Sequence, residues 1–278
     1  MTTIRTLHKD APEGRRKRGR SRFLKRHIVS SDQHDFVGRI FDLSIVAYHF
    51  DTYEQLTQHP DAKYALSVNE EMTSLVNRVE SLNLVGSLLW PDPFPTDIRT
   101  YPISRHAWLT VAGDAFLMRY VSVVDCALLL TNTVFESGLA SQKCSIDHLK
   151  KKGITATVLS ALQRLREEQG ALREERNSRF HHGLERVLTD DDTTFRMASQ
   201  FERYGHGVAG TDRYERKIDV VLSFKEGLVN LQREFNRSCR RLERTLDDLY
   251  DVLHPEFEAR FVPRFRAGAF ARKPKDAR

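Results

Sequence analysis

Residues 221–253, VLSFKEGLVNLQREFNRSCRRLERTLDDLYDVL, place apolar side chains at Val221, Phe224, Leu228, Leu231, Phe235, Cys239, Leu242, Leu246, Leu249 and Leu253. Steps of three and four close on one face of an α-helix and never fall into the period of two that a strand needs. This spacing predicts a long last helix from about Asp212 to Leu253, closed by Pro255. The nearly sustained heptad seam fits core packing or a dimer surface.

The same period recurs upstream. Phe36, Val37, Ile40, Phe41, Ser44, Ile45 and Tyr48 follow helical spacing behind Ser31 or Asp32, and Asp51 restarts a short piece that ends near Pro60. A second helix is predicted from about Ala62 to Trp90, with Leu75, Val76, Val79, Leu82 and Leu88 on its stripe. Pro91, Pro93, Pro95 and Pro102 then break the chain. Ser104 can cap a third helix to about Glu136, with Trp108, Val111, Ala115, Met118, Val121, Ser122 and Leu129 facing one way. Its second half is apolar nearly all round, the mark of a central core helix. Ser145 caps a short turn to Lys152. Thr155 opens a further helix that carries Gly170 and ends at Gly183, and a short helix is expected near Phe195 to Tyr204.

No alternating pattern competes, so the fold class is all-α, a bundle of long helices. The expected organisation is a disordered basic arm at 1–30, a single helical domain at 31–253 and a basic C-terminal tail at 254–278. Within the domain, 31–90 elaborates the bundle, 91–103 is a Pro-rich loop, and 104–253 is the main bundle.

The net charge of +6 over 278 residues hides an asymmetry. Residues 1–30 net +8 and residues 259–278 net +6, so the middle is acidic at −8. Basic ends on an acidic body suit a polyanionic partner. The run Arg15, Arg16, Lys17, Arg18, Arg20, Arg22, Lys25 and Arg26 reads either as a solvated or targeting tail or as an arm that contacts nucleic acid. The most apolar run, Val121 to Phe135, contains Asp125 and Asn132 and is too short and polar to span a bilayer, so no membrane partner is expected. The N-terminus is polar, without the apolar core of a signal peptide. Three cysteines, Cys126, Cys144 and Cys239, cannot all pair and fit a reducing cytoplasm.

Chemistry concentrates in Arg176-Asn177-Ser178-Arg179-Phe180-His181-His182-Gly183. At about 100° per residue, Arg173, Asn177 and His181 stack in one row of a helix, Glu174, Ser178 and His182 stack in the next, and Arg176 flanks the first. An arginine, an amide and an imidazole suit RNA cleavage by the RNA's own 2′-hydroxyl: the histidine moves a proton, the arginine forks onto phosphate oxygens, and the amide orients. Such a site needs no metal and no cofactor. The alternative is structural, because arginine and histidine also suit a helix C-terminus through its dipole and free carbonyls.

Arg176-Asn177 followed by His181, at the end of a long helix in an all-helical chain, resembles the signature of the HEPN superfamily. His182 fits the same pattern with one more intervening residue. His181 is preferred because it shares a face with Asn177. The resemblance covers about residues 100–253. It implies a dimeric, metal-independent endoribonuclease with catalytic Arg176, Asn177 and His181, acting as a toxin or in antiviral defence, with an antitoxin or defence-system partner. In one subgroup a tyrosine two residues after the histidine is modified by an antitoxin; that position here is Gly183 or Leu184, which puts this mode of control in doubt.

Other constellations are weaker. His181, His182 and His206 with Asp190, Asp191 and Asp192 lack a recognised ligand spacing. Gly205-His206-Gly207 has no preceding strand and no following Lys-Ser/Thr. Arg119 and Asp125 are six apart on the central helix and read as groups paired elsewhere, and Cys144 and His148 read as a chance pair. The rival to catalysis is a helical module that binds nucleic acid through the basic arm or dimerises as a scaffold or sensor.

Overall fold

A computed structural model describes residues 22–183 and 185–262. The architecture is all-α: among the described residues no strand forms, and a single antiparallel bridge joins Thr211 to Lys217. The helices are α1 (Asp35–Ser44), α2 (Tyr53–Thr57), α3 (Pro60–Glu80), α4 (Leu82–Leu89), α5 (Arg105–Val134), α6 (Ile146–Lys151), α7 (Ala156–Glu168), α8 (Gly170–His182), α9 (Asp192–Arg203) and α10 (Val220–Ala259).

α5 is the hub, packing against α3, α4, α7, α8, α9 and α10. The Ser104 hydroxyl caps it by accepting from the Ala107 amide. Its core side chains, among them Leu109, Phe116, Tyr120, Val124 and Leu130, fill a broad face of the helix. The stripe expected through Val111 and Met118 is corrected: both are half exposed, because the outward strip of α5 passes between α4 and α8 rather than into the core. Gly227 of α10 lets that helix approach α5 closely, since a Cβ there would collide with Leu109.

The seam of α10 is core packing: Phe224, Leu228, Phe235, Cys239, Leu242, Leu246, Leu249 and Leu253 are fully buried. Its ends differ from expectation. The helix starts at Val220, capped by Asp219, because residues 210–218 are taken up by a tight turn in which Asp212 accepts from the Tyr214 and Arg216 amides. It continues past Pro255 to Ala259. Proline removes one backbone bond there, and the buried rings of Phe257 and Phe261, packed with Phe36 and Tyr64, hold the last turns in place. Residues 254–262 therefore belong to the body, and Arg260 pairs with Asp61 and Glu136.

The expected helix over 62–90 divides at Ser81, and the expected helix over 155–183 divides at Gln169, next to Gly170. Gln169 is fully buried and its amide donates to the Tyr120 carbonyl at 2.6 Å, fixing the junction to the hub.

The basic arm was expected to be disordered through residue 30. Residues 22–30 instead form an extended strap along α10 and α4. The Leu24 amide donates to Gln232, the His27 amide to Asn236, the Val29 amide to Asn83 and the Ser30 amide to Glu243. Asn236 and Asn83 donate back to the Lys25 and Val29 carbonyls. Side-chain amides and one carboxylate on the helices thus satisfy a backbone that has no strand to pair with.

Fully buried Arg105 ties the Pro-rich loop down. Its guanidinium donates to the Pro95 and Thr96 carbonyls and forks onto Glu202 of α9 at 2.9 and 3.2 Å.

Candidate active site

The octapeptide forms the last turns of α8, and Gly183 ends them in the left-handed region at φ 65°, its amide donating to the Arg179 carbonyl. Only glycine takes that conformation without strain. α8 lies on α5 and buries no side chain completely. Its inward row is Leu172, Glu175, Arg176 and Arg179; Asn177, Phe180, His181 and His182 are exposed.

Geometry divides the arginines of this region into two groups. Arg179, whose side chain is 8% exposed, meets Asp114 of α5 at 2.5 Å and Glu175 at 3.7 Å. Arg186, just past the helix, reaches Glu175 at 3.4 Å and Glu234 of α10 at 2.5 Å. Arg173 reaches Asp125 at 3.7 Å. Burial pushes the carboxyls of Asp114 and Glu175 up, even though the neighbouring arginines pull them down. This ionic layer fastens α8 to α5 and α10. Arg176 stands outside it: among the described residues Arg176, Asn177, His181 and His182 make no side-chain hydrogen bond or ion pair.

Asn177 and His181 therefore share one open row, a single helical turn or about 6 Å apart along the axis, with half-buried Arg176 at its edge. His182 sits in the neighbouring row. The arrangement offers a cation, an amide and two imidazoles to solvent at a helix end.

The other candidates separate. Arg15, Arg16, Lys17, Arg18 and Arg20 lie outside the described residues. Arg22 and Lys25 are exposed. Arg26 does not project: its guanidinium lies against Gly86 and donates to the Asn83 carbonyl and the Ser87 hydroxyl. The three acids after Thr189 have structural tasks. Asp190 pairs with Arg216, Asp191 caps α9, and Asp192 accepts from the Leu188 and Thr189 amides and meets His106 at 3.1 Å. Burial works upward on Asp192, but those hydrogen bonds and the His106 ring outweigh it and hold its carboxyl below the usual range. Among the described residues no group of three or more His, Cys, Asp and Glu side chains is placed to hold a metal ion. Asp125 is exposed and pairs with Arg173, not Arg119. Cys144 donates to the Leu128 carbonyl while His148 pairs with Ser145, and burial pushes all three thiols up, Cys144 to about 11. None is a ready nucleophile.

Two features escaped the reading of the sequence: the ionic layer around Arg179, and a row of exposed arginines on α10. Glu175 and Arg179, four apart and in step with Leu172, were the available signal for the first.

The chain is thus defined by fold as an all-α bundle with an open Asn-His row, flanked by half-buried Arg176, at the end of α8. Comparison with known proteins finds no matching family model, no matching curated relative and no matching solved structure. No helix among the described residues is long and apolar enough to cross a membrane.

Proposed function

We propose that the end of α8 is the active site of a metal-independent endoribonuclease of HEPN type. The observation that carries this reading is the division of the arginines. Arg173, Arg179 and Arg186 pair with carboxylates, while Arg176, Asn177 and His181 remain unpaired, Asn177 and His181 on an open face and Arg176 half-buried beside it. A purely structural role would be expected to draw all four arginines into the layer.

In the reaction the RNA 2′-oxygen attacks the adjacent phosphorus and loses its proton to an imidazole, and the P–O5′ bond breaks as O5′ takes a proton. The products are a 2′,3′-cyclic phosphate and a 5′-hydroxyl. Arg176 meets the charge that builds on the phosphoryl oxygens, His181 transfers a proton, and Asn177 orients the ribose or the ring.

One helix end supplies few groups for two proton transfers, so the site is completed by a second copy of the chain. Support comes from the surroundings: Val111 and Met118 flank Asp114 on its face of α5, Phe180 follows Arg179, and all three are about half exposed. Apolar side chains around a polar row suit a homodimer contact. Such an enzyme would act in the cytoplasm as a toxin or in antiviral defence, alongside an antitoxin or defence-system partner.

The test is cleavage of RNA in EDTA by the unsubstituted protein, Arg176→Ala and His181→Ala. Each substitution is expected to cost about 100-fold or more. Equal activity in all three, or a requirement for added metal, would overturn the reading, and RNA binding without cleavage by any of them would favour a non-catalytic nucleic-acid-binding module.

A further inference from the structure

The faces of α10 are assigned by its neighbours. At 100° per residue, Leu228, Leu231, Phe235, Leu242 and Leu246 point into the core. Gln232, Asn236 and Glu243 turn to one side and hold the strap. Glu234, Arg241 and Asp248 turn to the other, where they meet Arg186, Glu168 and Arg164. Between these two flanks one strip of the helix is left uncovered by the described residues. It carries Arg233, Arg237, Arg240 and Arg244, all exposed.

Steps of four, three and four keep these guanidinium groups on one ridge about 16 Å long. The ridge and exposed Lys25 of the strap line an open groove of about 520 Å³ together with Arg241, the one of these cations whose side chain is ion-paired, to Glu168 at 3.4 Å. Arg233 donates to Asn230 and the Arg244 Nε to the Arg240 carbonyl, neither of which neutralises a charge. Among the described residues none of Arg233, Arg237, Arg240 and Arg244 meets a carboxylate. A row of like charges repels itself and costs stability. Elsewhere this chain supplies acids to its arginines readily, as the layer under α8 shows. The missing acids on this ridge point to an anion that is not part of the fold.

We propose that this ridge is a docking groove for the phosphodiester backbone of an RNA strand. Guanidinium forks match phosphate oxygens, and a single file of them matches a strand better than a flat surface. Half-buried Leu24 is the one apolar residue among those that line the groove, and the apolar face of α10 is spent on the core, which disfavours a membrane surface. Among the described residues no aromatic side chain lines the groove to stack bases, so binding is blind to sequence. The strap sets exposed Lys25 beside the arginines and so adds to the positive track. The choice of RNA over another nucleic acid rests on the reading of α8. The groove itself does not.

The experiment uses the full chain and a fluorescent 12-nucleotide 2′-O-methyl RNA, which has no free 2′-hydroxyl to attack. Anisotropy is measured across a salt series. The triple variant Arg237→Gln, Arg240→Gln and Arg244→Gln is compared with Lys150→Gln, Lys151→Gln and Lys152→Gln, which removes the same charge from exposed positions on and just after α6. The ridge variant is expected to weaken binding about tenfold near physiological salt and to lower the salt slope by about two, at roughly 0.7 per lost phosphate contact. The lysine variant should stay within about twofold. Unchanged binding by the ridge variant, equal weakening by both triples, or a ridge-dependent loss of binding to phosphatidylserine vesicles but not to RNA would each overturn the groove.

Cleavage of ordinary RNA separates the two proposals. If no form of the protein cleaves while the ridge variant loses binding, the groove stands and the active-site reading falls. If His181→Ala abolishes cleavage while the ridge variant binds like the unsubstituted protein, the groove falls alone.

Discussion

The arginines beneath α8 and those along α10 are the same residue type in opposite electrical settings. Arg179 and Arg186 face Asp114, Glu175 and Glu234 at distances down to 2.5 Å, in a half-dry layer where a lone charge would be costly. Arg237 and Arg240 stand in water with no acid beside them. The first set is paired with carboxylates and holds helices together. The second makes no ion pair within the described fold, which leaves its guanidinium groups open to a ligand. Arg176 lies between these extremes: it is half-buried, yet outside the layer.

Substitutions should expose that contrast. The largest loss of stability is expected from Arg105→Met, because Glu202 and two loop carbonyls would lose their donors together. A cost of about 3 kcal/mol follows from removing one partner of a buried pair, and a shift in the urea midpoint of under 1 kcal/mol would contradict it. His181→Ala should do the reverse, reducing cleavage about 100-fold with the melting temperature unchanged; a comparable loss of stability would make the histidine structural. Arg179→Met should cost about 2 kcal/mol, discounted because Asp114 retains some solvent, and should leave RNA binding intact. Strongly weakened binding by a correctly folded Arg179→Met protein would blur the two sets.

Acid should loosen the loop around α9 before the bundle. The folded carboxyl of Asp192 lies below its ordinary value. Its contribution is therefore present above the unfolded carboxylate range, near pH 4, and is lost as pH falls through the lower folded value. Amide exchange in residues 185–212 should quicken below about pH 4, and Asp192→Asn should remove that dependence; an acid profile unchanged by the substitution would refute the assignment. The smallest effect is expected at Gly86→Ala. The added methyl displaces the Arg26 guanidinium, whose loss is offset by the better helix propensity of alanine, for a net change within about 1 kcal/mol.

Much of the fold was legible before any coordinates. The steps through Phe224, Phe235 and Leu246 located α10, Ser104 and Ser145 located two helix starts, and Gly183 located a helix end, because spacing and capping are local properties. The phase of α5 was not legible: a helix apolar on most sides gives no moment to choose between Val111 and Ala112. Nor was the survival of α10 past Pro255, which depends on Phe257 finding Phe36 and Tyr64 far away in the chain. The ordered strap was missed for a similar reason. Its backbone partners, Asn83, Gln232, Asn236 and Glu243, are distant polar residues that look solvated in isolation.

The candidate site divides in the same way. Helical arithmetic alone placed Asn177 and His181 in one row, since a fixed 100° step needs no tertiary information. Which arginines are neutralised and which remain free was decided only when α5 brought Asp114 to Arg179, the chain after Gly183 brought Arg186 to Glu234, and the strap and α7 closed on α10 from either side. Charge in the sequence counts arginines; folding alone assigns each one a partner, because ion pairing depends on distances between elements that local pattern does not encode.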